Sequence, residues 1–233
     1  MKKELMSALA LIAAALVVAA PVWADNFSQG QGATAAANWK VYGINPSGMA
    51  YGSGKAATSS DGIGFAFQAM PDTSSTGTGS SLLMTTHPGD LLGDLSNKTV
   101  TATFTVSGTN PVFTYYGDGQ SWNSCGTPAS VRLYFQGNTN GPFAYSKYWW
   151  SNPESATLTS AVGQTVTLTV PVDASDWSNW DGQLGSSVPD QFDAAAADVS
   201  GIGLSFGGGC FFANGVGLSS GSAAFQLSSY SVS

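Results

Sequence analysis

Apolar and polar residues alternate with a period of two through much of the chain. Across residues 99–106, Val100, Ala102, Phe104 and Val106 fall on one side, and Thr99, Thr101, Thr103 and Thr105 on the other. Residues 165–172 repeat the pattern with Val166, Leu168, Val170 and Val172 facing inward. Val131, Leu133 and Phe135 alternate with Arg132, Tyr134 and Gln136, and Ile202, Leu204 and Phe206 alternate with Gly203 and Ser205. A strand turns successive side chains to opposite faces, so these runs predict antiparallel sheets that bury one face. Further strands are expected at 39–42, 63–69, 82–86, 112–116, 143–150 and 223–232.

Between these runs stand Gly117-Asp118-Gly119, Asn138-Thr139-Asn140-Gly141, Ser151-Asn152-Pro153 and Gly207-Gly208-Gly209. These are residue types that turns select because they tolerate positive φ or fix it. One helix of about two turns is expected, at ~3.6 residues per turn. Pro189-Asp190 would open it, Phe192, Ala195 and Ala196 would face inward, and Gly201 lies past its end. Many short strands, Gly-rich turns and at most one short helix predict an all-β fold: an antiparallel two-sheet β-sandwich of jelly-roll type.

The first residues read differently. Lys2 and Lys3 precede an apolar run over 8–20, and small residues at Val22 and Ala24 suit a cleavage site. That run is shorter than the ~20 residues of a spanning helix, so residues 1–24 are expected to be a signal peptide rather than an anchor. Residues 25–233 then form a single sandwich domain, secreted to the periplasm or outside the cell, with no membrane insertion after cleavage. In such a compartment the two cysteines, Cys125 and Cys210, are expected to pair.

The formal net charge is −7, and loss of Lys2, Lys3 and Glu4 with the leader makes the balance more acidic. A chain without a basic patch is a poor partner for nucleic acid or anionic membranes. Catalytic chemistry is sparse. The single histidine, His87, sits in Thr86-His87-Pro88-Gly89-Asp90, a turn, which argues against a Ser-His-Asp site. One histidine and a paired cysteine set leave too few ligands for zinc. Glycoside hydrolysis needs two carboxyl groups across the bond. The mature chain has one glutamate, Glu154, and many aspartates beside turns: Asp118, Asp173, Asp176, Asp181 and Asp190.

Aromatic residues, by contrast, cluster among short polar ones. The clusters are Tyr115-Tyr116 with Trp122, then Tyr145, Tyr148, Trp149 and Trp150, then Trp177 and Trp180. Tyr and Trp offer a flat apolar face with a polar handle, and Asp, Asn, Gln and Arg direct hydrogen bonds to hydroxyls. That combination suits a sugar, although a sandwich of this size must also bury large rings. Trp149 and Trp150 are adjacent, so only one can point to a given face. The expected ligand-binding set is Trp122, Tyr148, Trp149, Trp177 and Trp180, with Arg132 and Asp118 as polar contacts. The face carrying Arg132, Tyr134 and Gln136 is either plain solvent-facing surface or the floor of a groove.

The order of these segments resembles the galactose-binding-like jelly rolls of many carbohydrate-binding modules. Asp25-Asn26-Phe27 before Trp39 is similar to their first strand. Residues 95–100 resemble a sheet strand entered from a turn, and 165–173 before Trp177 a penultimate region. Residues 199–204 and 223–227 resemble the closing pair of strands. That family often holds a structural calcium between acidic residues of the first and last strands. Here Asp25 matches the first, but the last strand offers Ser228 and Ser229, so no metal or other cofactor is expected. Pro88-Gly89-Asp90-Leu91-Leu92-Gly93-Asp94 before a Thr-rich strand is also similar to the laminin B-type domain. Both likenesses imply binding or scaffolding. The leading expectation is a non-catalytic module for a glycan or polysaccharide. The alternatives are a matrix or surface protein without a small ligand, and a glycan-active hydrolase using Asp carboxylates.

Overall fold

The Thr/Val alternation at 99–106 is the first half of one 17-residue strand, β7 (Thr99–Tyr115). The separate strand expected at 112–116 is its second half. Asn110 and Pro111 lie within β7, between the two stretches. β14 (Val216–Val232) pairs along nearly the whole of β7, with register shifts between Leu218 and Ser220 and between Ser220 and Ser222. Asn110 takes a positive φ of 45° beside these bulges, which is how a sheet accommodates residues that would otherwise break the ladder.

The computed structural model describes residues 23–26, 38–44, 50–51, 57–59, 62–70, 73–74, 79–87 and 91–233. Residues 1–22, which hold most of the expected signal peptide, Phe27 and the Pro88-Gly89-Asp90 segment lie outside them, whereas Trp23 and Ala24, the last two residues of that expected segment, belong to a described strand. β1 (Trp23–Asn26) pairs antiparallel with the end of β14. β5 (Gly62–Ala66) pairs with β14 next to it, and β4 (Ala57–Ser59) lies outside β5. β11 (Thr165–Pro171) flanks β7 on the other edge.

The second sheet runs in the order β3 (Ala50–Tyr51), β2 (Trp39–Ile44), β6 (Ser80–Thr85), β13 (Val199–Gly207), β8 (Ser130–Gly137), β9 (Tyr148–Ser151) and β12 (Trp177–Asn179). β10 (Ala156–Thr157) extends the free edge of β8. The two sheets touch through one pair, Val216 opposite Ser80, so they form a single antiparallel sheet curled into a sandwich. Helix is minor. α1 (Pro189–Ala196) buries Phe192, Ala195 and Ala196, the three residues expected to face inward. A four-residue helical turn spans Leu158–Ala161.

The inner faces meet in a ring-rich core. Phe206 packs on Phe225 at 5.0 Å, Phe135 on Trp177 at 4.8 Å, and Trp149 on Phe192 at 5.1 Å. Leu168, Val170 and Val172 point inward as the alternation predicts, and Val166 is partly buried against the same core. The strand expected over 143–150 shrinks to β9. Before it, Lys147 Nζ donates to the carbonyls of Asn140 and Pro142, which folds the segment back as a 3₁₀ turn at Tyr145–Lys147.

Phe135 sits at the centre of this core with no exposed surface. Phe135→Ala should cost about 3–5 kcal/mol, the usual range for deleting a buried ring. A chemical-denaturation midpoint is the measurement; an unchanged midpoint would refute the packing described.

Candidate functional site

The register between β8 and β9 sorts the aromatic residues. Tyr134 lies opposite Trp150, Phe135 opposite Trp149 and Gln136 opposite Tyr148. Since Phe135 points into the core, Trp149 does too, and Tyr134, Trp150 and Tyr148 take the outer face of the second sheet. Trp177, opposite Ser151, also points inward. Trp149 and Trp177 have no exposed surface, and each spends its indole N–H on a backbone carbonyl, of Ser146 and Pro171 respectively. Both were expected at the ligand; both are core residues, because strand parity outweighs the polar neighbours that suggested exposure.

The outer face is not plain surface. Leu82, Met84, Tyr134 and Trp150 form a second buried cluster, with Tyr42, Tyr148, Phe212 and Ala213 packed on it. Burial pushes the Tyr134 phenol well above its usual range, and its hydroxyl bonds Gln136 Oε1 at 2.9 Å. Arg132 lies under the Phe212 ring, 4.2 Å from guanidinium carbon to centroid. Burial pulls its pKa down to about 10, and the nearby Glu154 carboxylate acts in the opposite sense. Its Nη1 donates to the carbonyls of Ser151, Pro153 and Glu154. Arg132 therefore holds the segment after β9 and is roofed by an aromatic ring, rather than lying open as an exposed polar contact.

Three loop segments rise beside this face. The first follows β7. Gly117 has φ 86°, and a Cβ there would come within 2.3 Å of the Trp122 ring, so glycine is what lets the ring lie against the backbone. Trp122 is 50% exposed and packs on Tyr116 at 5.3 Å and Phe211 at 6.1 Å. Asp118 serves this turn: its carboxylate accepts from Thr114 Oγ1 and its carbonyl from Thr73 Oγ1.

The second segment, 208–215, carries Phe211 and Phe212. The Cys125–Cys210 disulfide ties it to the first loop, with Cα atoms 4.9 Å apart. Two buried asparagines reinforce the tie. Asn123 Oδ1 accepts from the Cys210 N–H, while Asn214 exchanges hydrogen bonds with Gly208 and donates to the Tyr116 carbonyl. The third is the turn after β12. Asn179 Oδ1 accepts from the N–H groups of Asp181 and Gln183 and so presents Trp180, 37% exposed. Trp180 meets Trp150 and Tyr148 at 5.7 Å each, and Phe143 and Tyr145 flank it outward.

These segments enclose an open cavity of about 400 Å³. Its aromatic lining comes from Tyr116, Trp122, Trp150, Trp180, Phe211 and Phe212, and its polar lining includes Asn179, Asp181 and Asn214. Of the expected residues, the structure brings Trp122 and Trp180 together here. Tyr148 packs on Trp180 from outside the lining, and Asp118 and Arg132 are not among the lining residues. Trp150, Phe211 and Asn214 are the principal additions. Trp150 could have been found from the adjacent pair, since one member had to face outward. Phe211 and Asn214 gave no signal, because the disulfide carries them in from a point 85 residues away.

No family model matches this sequence, and no curated protein matches it. Among solved structures, the chain is similar to a xylan-binding module, CBM15, with 15% identity and a TM-score of 0.36 over 89% of this chain and 97% of that one. It is also similar to Xylanase10C from Cellvibrio japonicus, solved with xylopentaose, with 14% identity and a TM-score of 0.32 over 81% of this chain. It spans 27% of that xylanase chain. Among the described residues no group of three His, Cys, Asp or Glu side chains comes together. No described helix is long and apolar enough to cross a membrane.

Replacing both cysteines by serine should destabilise the fold by about 4–5 kcal/mol, the loop-entropy value for a closure of this length. For a domain of this size that is a fall of roughly 10 °C in Tm. Calorimetry on the double variant measures it, and an unchanged Tm would show that the bridge constrains nothing.

Proposed function

We propose that this protein is a non-catalytic binding module that holds a glycan chain in the cavity bounded by Trp122 and Trp180. One observation carries the reading. Two half-exposed tryptophans, presented by separate loops that buried asparagines stiffen, line a single open cavity among short polar side chains. Its volume is within the range of small-molecule sites, and the mixture of apolar walls with few polar groups is typical of them. Indole faces suit the C–H faces of sugar rings, while Asn179, Asp181 and Asn214 can bond hydroxyl groups.

The lining favours binding over hydrolysis. Asp181 is the only carboxylate among the lining residues, whereas glycosidic cleavage calls for a facing pair. We further propose that the module works in an exported, oxidising setting, a reading supported by the Cys125–Cys210 bridge.

Titration calorimetry against a panel of soluble polysaccharides and their oligosaccharides provides the test. Trp122→Ala and Trp180→Ala should each lose about 1–2 kcal/mol of binding, roughly tenfold in affinity, with unchanged melting. Trp149→Ala and Trp177→Ala should instead lower the melting temperature. Full affinity in both folded loop variants would place the ligand elsewhere. Release of reducing ends that depends on Asp181 would replace the binding reading with a catalytic one.

A further inference from the structure

Behind the aromatic wall lies a group of polar atoms that satisfy nothing. Among the described residues, Arg132 Nε, Trp150 Nε1 and Ser205 Oγ are buried and have no hydrogen-bond partner. Their residues are 7%, 4% and 0% exposed. All three lie on the outer face of the second sheet. Ser205 is directly opposite Arg132 across β13 and β8. Trp150, on β9, is opposite Tyr134, two residues along β8 on the same face. Arg132 thus has one of these groups on the strand to each side. Among the described residues the hydrogen bonds of its guanidinium all leave through Nη1, and Nε, on the opposite edge, makes none. The Phe212 ring lies over the guanidinium and 6.4 Å from the Trp150 ring, and both Phe212 and Trp150 also line the cavity.

Buried polar groups in folded proteins are nearly always paired, and an unpaired one costs free energy. Guanidinium and indole N–H groups can only donate, and a hydroxyl can donate or accept. The chemistry that satisfies such a set is an acceptor with no proton of its own. A carboxylate fits it best, because the free edge of an arginine takes a carboxylate in two parallel bonds. It would also give the only arginine of the chain an anionic partner bonded to it directly.

We propose that this patch is a subsite for the carboxylate of a uronic acid residue, reached from the cavity when the Phe212 ring turns aside. This rests on the glycan reading above and adds the substrate class. The net charge of −7 opposes a polymer charged at every unit. The ligand is therefore a mainly neutral chain with occasional uronic acid residues, one carboxylate entering while neutral rings lie on Trp122 and Trp180.

The test uses the full mature chain and β-linked oligosaccharides of four to six residues, each bearing one hexuronic acid. Each is compared with its methyl ester and its carboxyl-reduced form, which keep the shape and lose the charge. Calorimetry should show the acid binding about tenfold or more tightly than either neutral form, the size expected for a hydrogen bond to a charged group. In ¹H–¹⁵N spectra the Trp150 indole and Arg132 Nε–H signals should move with the acid and stay with the ester. Ser205→Ala should reduce the preference for acid over ester, and Phe212→Ala, which uncovers the donors without removing them, should keep or widen it. Equal binding of all three forms would overturn the subsite and leave the cavity reading intact. Binding of none of them, nor of any neutral chain, would remove the glycan reading itself. Loss of the preference in Phe212→Ala would show that it arises elsewhere.

Discussion

The pairing of β8 with β9 is the constraint on which the site depends. Setting Phe135 opposite Trp149 commits one tryptophan to the core, where it meets Phe192 of α1, and commits its neighbour Trp150 to the outer face. A slip of one residue would exchange them, placing Trp150 against the helix and removing the floor of the cavity. The same parity carries Tyr134 and Arg132 outward and Leu133 and Val131 inward. The core and the candidate site are thus two faces of one ladder, and the burial of one set of rings fixes the position of the other.

Above that face the chain departs from strand geometry, and the hydrogen-bond pattern changes with it. Asn123, Asn179 and Asn214 are almost fully buried, an environment that asparagine tolerates only when its amide is bonded. Each bonds backbone groups in the loops that carry the exposed rings. The disulfide joins two of those loops at the point where the cavity wall is made. Loops that present large apolar surfaces to water would otherwise collapse onto the sheet. Amide clamps and a covalent tie hold Trp122, Phe211 and Trp180 at the rim instead, which is the preorganisation a binding surface needs.

Arg132 shows the cost of such a design. Its guanidinium is desolvated enough to pull the pKa down to about 10, yet its hydrogen bonds go to carbonyl oxygens rather than to a carboxylate. Stability alone would favour an apolar residue at a buried position of this kind. The guanidinium nevertheless ties the carbonyls of Ser151, Pro153 and Glu154 together through Nη1, while its Nε has no partner among the described residues.

Much of the architecture was legible in the sequence. The alternations at 99–106, 131–136, 165–172 and 202–206 are local, and a strand with one apolar face has few places to go, so the all-β sandwich follows from them. The helix at Pro189–Ala196 was equally local, with its proline start and three inward residues. Two cysteines left one pairing. Clusters of rings among polar residues singled out Trp122 and Trp180, which line the cavity, but equally Trp149 and Trp177, which are core. What the sequence left open was which rings face water. Trp149, Trp150 and Trp177 sit in similar local surroundings and differ only in their register to β8 and to each other. Phe211 and Asn214 line the cavity because a bridge brings them to Trp122. Register and long-range closure are decided by contacts between segments tens of residues apart, and only the folded sheet, where burying one side of a strand forces the other outward, determines them.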